Sequence, residues 1–496
     1  MMKGTLTEEE LASGRRSLHT ALEAGASKVR ITLNKSQMDL VATLDGEIDR
    51  VSHCLDRSLT LALFVDGRYG TFSTNRLDDD ALKEFTLRAV ETVRMLAPDV
   101  CRNLPEQDRV EKGAASGLEL VLYDAEYEQV SPDLRRRIAL EASFLRQNAS
   151  ECQTKPAATL SENTSNAAGE RIEPELANAA AAAPNEPEMD ATALLQSASA
   201  QLLSEEGEYS DSVYDTVVID SEGTFCRHIE TSFEYGVEVT IADKDSNRIS
   251  AYWWDAAPFL KDLDYRGCTW EAIRRATAQI GPKRQKSRKT KLVIDREVSS
   301  KVVTPLLNAL AGSAIQQHNS FLDGTLGQQV LSEKLTIIDD CRTPGRTGCR
   351  LFDSEGVATT VHPIIENGVV KEYFLNTYMA AKTGMAPTTE DATCPHLLGT
   401  PEAGLTQGDL LALCGDGILV TAFNGGNFNA VTGDFSYGIE GFAFKNGRIT
   451  HPIREMLMTG NLKTLWNNLI AAAEDARPCA SRIIPSLAFD GVDFSA

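Results

Sequence analysis

Histidine is scarce in this sequence and never clustered. His19, His53, His228, His318, His362, His396 and His451 are spread so that the nearest neighbours lie 34 residues apart. A self-sufficient zinc peptidase commonly sets two histidines one helical turn apart, with a glutamate between them to activate water. No such pair occurs here. No Gly-Lys dipeptide occurs either, which excludes a phosphate-binding P-loop, and no Gly-x-Ser-x-Gly run supplies a nucleophile elbow. Basic charge is in deficit: 49 Lys and Arg stand against 71 Asp and Glu, a net −22 that repels a phosphate backbone, so nucleic acid is not an expected partner. Apolar runs stop short of a membrane span, and Met1 to Thr5, followed by Glu8-Glu9-Glu10, lacks the apolar stretch of a secretory signal. The ten cysteines form no Cys-x-x-Cys; the nearest two, Cys341 and Cys349, are eight apart. That usage suits a reducing, cytoplasmic setting rather than a disulfide framework.

What is present is ordinary globular composition, 42% hydrophobic and 24% charged, over a length that accommodates two or three domains. The first segment predicts a helix opened by a Thr7/Glu10 capping box, carrying Leu11, Leu18 and Leu22 and ending at Gly25. Short strands follow at 29–33, 38–44, 48–51 and 59–65, with hairpin turns at Asp45-Gly46 and Asp66-Gly67, then one at 69–72. A second helix begins near Asp78 and stops at Pro98, and a third starts at Ser131-Pro132. One helix, an antiparallel meander and another helix predict an α+β domain over 1–148. Residues 149–207, rich in Pro, Ala, Ser, Asn and Glu, read as a mobile or helical insertion without a core of its own. Strands should resume at Val213 and continue the N-terminal region over 208–282.

Six of the nine residues from Lys283 to Lys291 are basic with no interleaved aromatic, which reads as a solvated linker opening a C-terminal domain at 283–496. That domain begins with a strand at 292–294 and a helix at about 298–310. Gly-rich turns then separate short apolar strands, so a barrel- or sandwich-like β-rich domain is expected. The stretch that draws most attention is Gly425-Gly426-Asn427-Phe428-Asn429, continuing through Thr432, Asp434 and Ser436. Glycine leaves backbone bare and asparagine offers amide donors and acceptors, so the stretch reads either as tight turns or as a rim for an extended peptide. Gly425, Gly426, Asn427, Asn429, Thr432, Asp434 and Ser436 are the candidate substrate-binding residues.

The run Asn429-x-x-Thr432-Gly433-Asp434-Phe435-Ser436, then Gly441-Phe442, Asn446-Gly447, Pro452-Ile453 and Gly460-Asn461-Leu462-Lys463, resembles the C-terminal signature of the TldD/PmbA family, on its PmbA (TldE) side. The order of elements elsewhere, including Gly67-Arg68-x-Gly70, agrees with it. The resemblance implies a subunit of a cytoplasmic metallopeptidase, in a family first described as modulators of DNA gyrase. It also implies that TldD-type subunits carry an HExxxH zinc motif on the helix that begins the C-terminal domain. The corresponding segment here, Leu310 to Ser320, holds one histidine, His318, followed by Asn319. The expectation is therefore a PmbA/TldE-type subunit with no catalytic residue and no metal of its own. A TldD-type partner would bring the zinc, and the substrate would be an unfolded or small peptide. Two alternatives stay open: a non-enzymatic regulator of gyrase or another protein, and a homodimeric hydrolase assembled from His318, His362, His396 and Cys394.

Overall fold

The computed structural model describes residues 4–146, 190–400 and 404–496. Among these, β1 (Lys28–Leu44), β2 (Glu47–Val65), β3 (Arg68–Thr74), β4 (Gln201–Asp220), β5 (Phe225–Ala242) and β6 (Arg248–Ala257) form one antiparallel sheet in the order β3-β2-β1-β4-β5-β6. The β1–β2 and β2–β3 hairpins are closed by Asp45-Gly46 and Asp66-Gly67, all four residues at positive φ, the geometry that matches strand twist. Helix Glu8–Glu23 opens with the anticipated capping box: Glu10 N donates to Thr7 Oγ1 and Thr7 N to Glu10 Oε2. This helix and Asp79–Arg94 pack over Val29, Ile31, Leu33, Leu59, Leu61 and Leu63. Helices Pro132–Glu141, Ala191–Ser197 and Tyr265–Ala278 cover the other end of the sheet, around Tyr209, Phe233, Tyr235 and Val237.

The strands are longer and fewer than the sequence pattern predicts. The stretches expected at 29–33 and 38–44 are one strand of 17 residues, and those at 48–51 and 59–65 are one of 19. The larger part of the insertion expected at 149–207 lies outside the described residues. Its end is corrected: helix Ala191–Ser197 buries Ala191 and Leu195 in the core, and β4 begins at Gln201 rather than near Val213. The inward positions there are Glu205, Gly207, Tyr209 and Asp211, so alternation is carried by polar groups that have partners. The Glu205 carboxylate accepts from Ser143 Oγ and the Phe144 and Leu145 amides, each at 3.0 Å. Asp211 receives a bidentate Arg135.

The C-terminal part is a barrel, not a sandwich. β7 (Arg288–Ile294), β12 (Gly417–Phe428), β13 (Asp434–Lys445), β14 (Arg448–Asn461) and β16 (Leu487–Ser495) close on themselves through a β14–β16 pairing, with β7–β12 the parallel pair and β15 (Leu469–Ala472) attached to β16. A smaller sheet of β8 (Ile337–Asp339), β9 (His362–Glu366), β10 (Val369–Val370) and β11 (Pro395–Leu397) flanks it. The basic run ends inside the barrel, because β7 already starts at Arg288. The helix that follows β7 is Ser300–Asn308, whose Val302, Val303, Leu306 and Leu307 face the barrel core. The chain is thus α+β, an antiparallel sheet with helices joined to a β-rich barrel.

Candidate functional site

β7 leaves its parallel ladder with β12 at Ile294 opposite Val420 and turns into the helix Ser300–Asn308. From Thr421 to Phe428, β12 therefore pairs only with β13. A cleft of about 520 Å³ lies between that half-paired strand and the helix, lined by Val298, Ser300, Lys301, Thr304 and Pro305 on one side and Phe423, Gly426, Phe428 and Tyr437 on the other. Its aromatic wall is held by ring packing: Phe423 is edge-on to Tyr437 at 5.7 Å, Phe435 stacks on Tyr437 at 5.1 Å, and Phe321 meets Phe428 edge-on at 6.2 Å. Lys301 places its ammonium 5.0 Å from the Tyr437 ring centroid, a cation–π contact.

Glu297 closes one end of the cleft. Burial pushes its carboxyl above the ordinary range, against the pull of Arg477, whose guanidinium lies 3.0 Å away. Arg477 also donates to the Trp254 carbonyl and to Asp255, and rests on the Trp253 and Trp254 rings. The cleft is thereby tied to β6 of the first sheet.

The candidate residues divide between cleft and turn. Gly426, at φ +125°, lines the cleft; a Cβ there would come within 2.3 Å of the Ser436 carbonyl, so the bulge between Phe423 and Gly426 requires glycine. Gly425 is exposed at φ +71°, and Asn427, also exposed, pairs opposite Ser436. Asn429, Thr432 and Asp434 instead bond within the loop. Asn429 Oδ1 accepts from the Val431 and Thr432 amides, Thr432 Oγ1 donates to Asp434 Oδ2, and Asn461 Nδ2 donates to Asp434 Oδ1. Asn461 and then Thr432 hold the Asp434 carboxyl below the usual range. The aromatic residues and Lys301 escaped the sequence reading. Phe423 and Phe428 flank the Gly/Asn stretch, and apolar residues at that spacing beside it were the available signal.

The family resemblance aligns the zinc-motif helix with Leu310 to Ser320. The structure breaks that stretch into a bridge at Ala311, the short helix Gly312–Gln316 and an exposed His318 at φ +53°, bonded to Asp323. The helix that opens the barrel domain reads Ser-Lys-Val-Val-Thr-Pro-Leu-Leu-Asn. Neither helix contains His, Asp, Glu or Cys, so the donor set does not fit a zinc site. Among the described residues, no three His, Cys, Asp or Glu side chains gather in a way that holds a metal ion. His362 pairs with Glu372, while His396 stands 3.9 Å from Asp340. Cys394 is buried against Cys349, which, with burial, keeps its thiol protonated. Among the described residues no helix is long and apolar enough to cross a membrane.

The comparisons with known proteins agree with this architecture. Residues 287–496 match the PmbA/TldA metallopeptidase C-terminal domain, and residues 174–280 match the central domain. The chain is 24% identical to the metalloprotease PmbA of Escherichia coli O157:H7, over 96% of this chain and 95% of that protein. It is 26% identical to a PmbA homologue of Haemophilus influenzae, over 92% and 90%. A crystal structure from Bacteroides thetaiotaomicron, described as a modulator of DNA gyrase, superposes with a TM-score of 0.83 at 33% identity, covering 99% of each chain. TldE of Thermococcus kodakarensis shares the fold, with a TM-score of 0.76 at 17% identity over 98% of this chain and 100% of that one. The chain belongs to the PmbA/TldD metallopeptidase family.

Proposed function

We propose that the chain is a PmbA/TldE-type, non-catalytic subunit of a peptidase. In this reading it pairs with a TldD-type chain that supplies the zinc, and its own cleft receives the unfolded or small peptide. One observation carries the proposal: the helix lining the cleft, Ser300–Asn308, presents serine, lysine, threonine and proline rather than metal ligands and a general base. What remains suits binding. The half-paired edge of β12 offers main-chain donors and acceptors to an added strand, and Phe423, Phe428 and Tyr437 offer aromatic faces to its side chains. Fluorescence anisotropy of a labelled unfolded peptide tests the cleft. Phe423→Ala combined with Phe428→Ala weakens binding about tenfold or more, the effect of losing two aromatic contacts. Unchanged affinity refutes the cleft as the peptide site.

A further inference from the structure

The cleft between β12 and the helix Ser300–Asn308 carries positive charge that no described carboxylate answers. Lys301 and Thr304 both line it, spaced as neighbours on a helix face. The Lys301 ammonium stands over the Tyr437 ring, 5.0 Å from its centroid. At Thr304 a second cation reaches the wall, where Arg482 Nη1 donates to the threonine hydroxyl at 2.6 Å. Both cations are exposed, and among the described residues neither forms an ion pair. With 71 acidic residues against 49 basic ones, partners for a cation are abundant in this chain. Arg477, at the closed end of the same cleft, has two, Glu297 and Asp255.

Three further features favour an anion at this wall. The first turn of the helix contains no acidic residue, so nothing there offsets the positive end of its dipole. The Thr304 hydroxyl, having accepted from Arg482, keeps its proton for another acceptor, and Ser300 adds a second hydroxyl to the lining. Glu297, the acidic residue of the lining, is engaged by Arg477, and burial favours its uncharged form.

The two walls therefore suit different parts of one ligand. Phe423 and Phe428 offer apolar faces, while Lys301 and Arg482 offer charged donors, whose bonds to an anion are the stronger class. The inference rests on the peptide reading of the cleft. In an unmodified peptide the anionic group is a carboxylate, at the C-terminus or on an Asp or Glu side chain.

We infer that the cleft selects peptides by a carboxylate, which Lys301 and Arg482 bind on the helix wall while the aromatic wall takes a neighbouring side chain.

Anisotropy of three unfolded peptides, each with an uncharged fluorophore at its N-terminus, tests this on the full chain. The first contains no Asp or Glu and ends in an amide, the second is the same peptide with a free C-terminus, and the third keeps the amide and carries one internal Glu. The second or the third binds about tenfold more tightly than the first, and which of them does so identifies the source of the carboxylate. Lys301→Met combined with Arg482→Gln removes that gain, so that all three bind alike while measurable binding of the first remains, an outcome that loss of folding does not produce. Equal affinities of the three peptides for the wild type, or a gain that survives the double variant, overturns the inference. If the first peptide is still weakened by Phe423→Ala with Phe428→Ala, the cleft stands as the peptide site and carboxylate selection alone falls. If no peptide responds to that aromatic pair, the peptide reading falls and this inference with it.

Discussion

Arg135 is the strongest single test of how the first sheet is held together. It lies on the helix Pro132–Glu141, 5% exposed, and its Nε and Nη2 reach Asp211 Oδ2 and Oδ1 at 2.7 and 2.8 Å. A third contact runs to Asp39 at 3.0 Å. Asp211 sits on β4 with a side chain fully removed from water and one further donor, the Tyr209 hydroxyl at 3.0 Å. Arg135→Met keeps the apolar stem but leaves that carboxylate buried without its cation, which costs about 3–5 kcal/mol. Asp211→Leu strands the guanidinium and also destabilises. The double variant Arg135→Met with Asp211→Leu removes both charges, while Asp39 keeps His53 and Gln37 as partners. Its cost is therefore far below the sum of the two singles, with a coupling of about 3 kcal/mol in a double-mutant cycle. Urea unfolding followed by tryptophan fluorescence is a suitable assay, since Trp253, Trp254 and Trp270 report on this sheet and its helix while Trp466 lies in the barrel core. A loss below about 1 kcal/mol for Arg135→Met, or strict additivity in the double variant, refutes the reasoning.

His362 turns both ring nitrogens toward acceptors, Glu372 Oε2 at 2.5 Å and the Thr360 carbonyl at 2.7 Å. The Glu372 carboxylate, outweighing burial, raises the imidazolium to about 9. Because the folded value lies above the unfolded one, the stabilisation is complete below about pH 6.5 and lost as pH rises through about 9, roughly 3 kcal/mol in all. Thermal melts should show that decline in wild type and lose it in His362→Gln; parallel pH profiles contradict the pairing. In the barrel, a Cβ at Gly441 would lie 1.9 Å from the Leu419 carbonyl oxygen, beside the bulges of β12 and β13. Gly441→Ala is expected to cost about 3 kcal/mol, and an unchanged denaturation midpoint would show that the barrel yields there without strain. A molar excess of the chain is expected to leave gyrase supercoiling of DNA unchanged, given its net charge of −22; inhibition would favour the modulator reading.

Caps and turns were legible in the sequence because their chemistry is local. The Thr7/Glu10 box, the Ser131-Pro132 helix start and the two Asp-Gly turns each lie within a few residues and take the geometry their side chains demand. Strand length was not legible. Apolar alternation fails in β2 from Glu47 to Arg57, where nearly every residue faces water, and in β4 from Glu205 to Asp211, where the inward positions include the acids Glu205 and Asp211, whose partners are distant in sequence. The cleft was half legible. Its glycine-requiring bulge at Gly426 stood out, but the wall from Glu297 to Pro305 lies more than a hundred residues away, and only the departure of β7 from β12 brings the two together. The polar loop residues Asn429, Thr432 and Asp434 signalled a turn as well as a site, and the structure spends their hydrogen bonds on the turn.

Hydrolysis of an unfolded peptide tests the central claim most directly, measured for this chain alone and mixed with a TldD-type subunit, each with and without a chelator. The account predicts chelator-sensitive cleavage in the mixture at a rate above that of the TldD-type subunit by itself, and none by this chain alone. Cleavage by this chain alone, or a mixture no faster than the TldD-type subunit, would contradict it.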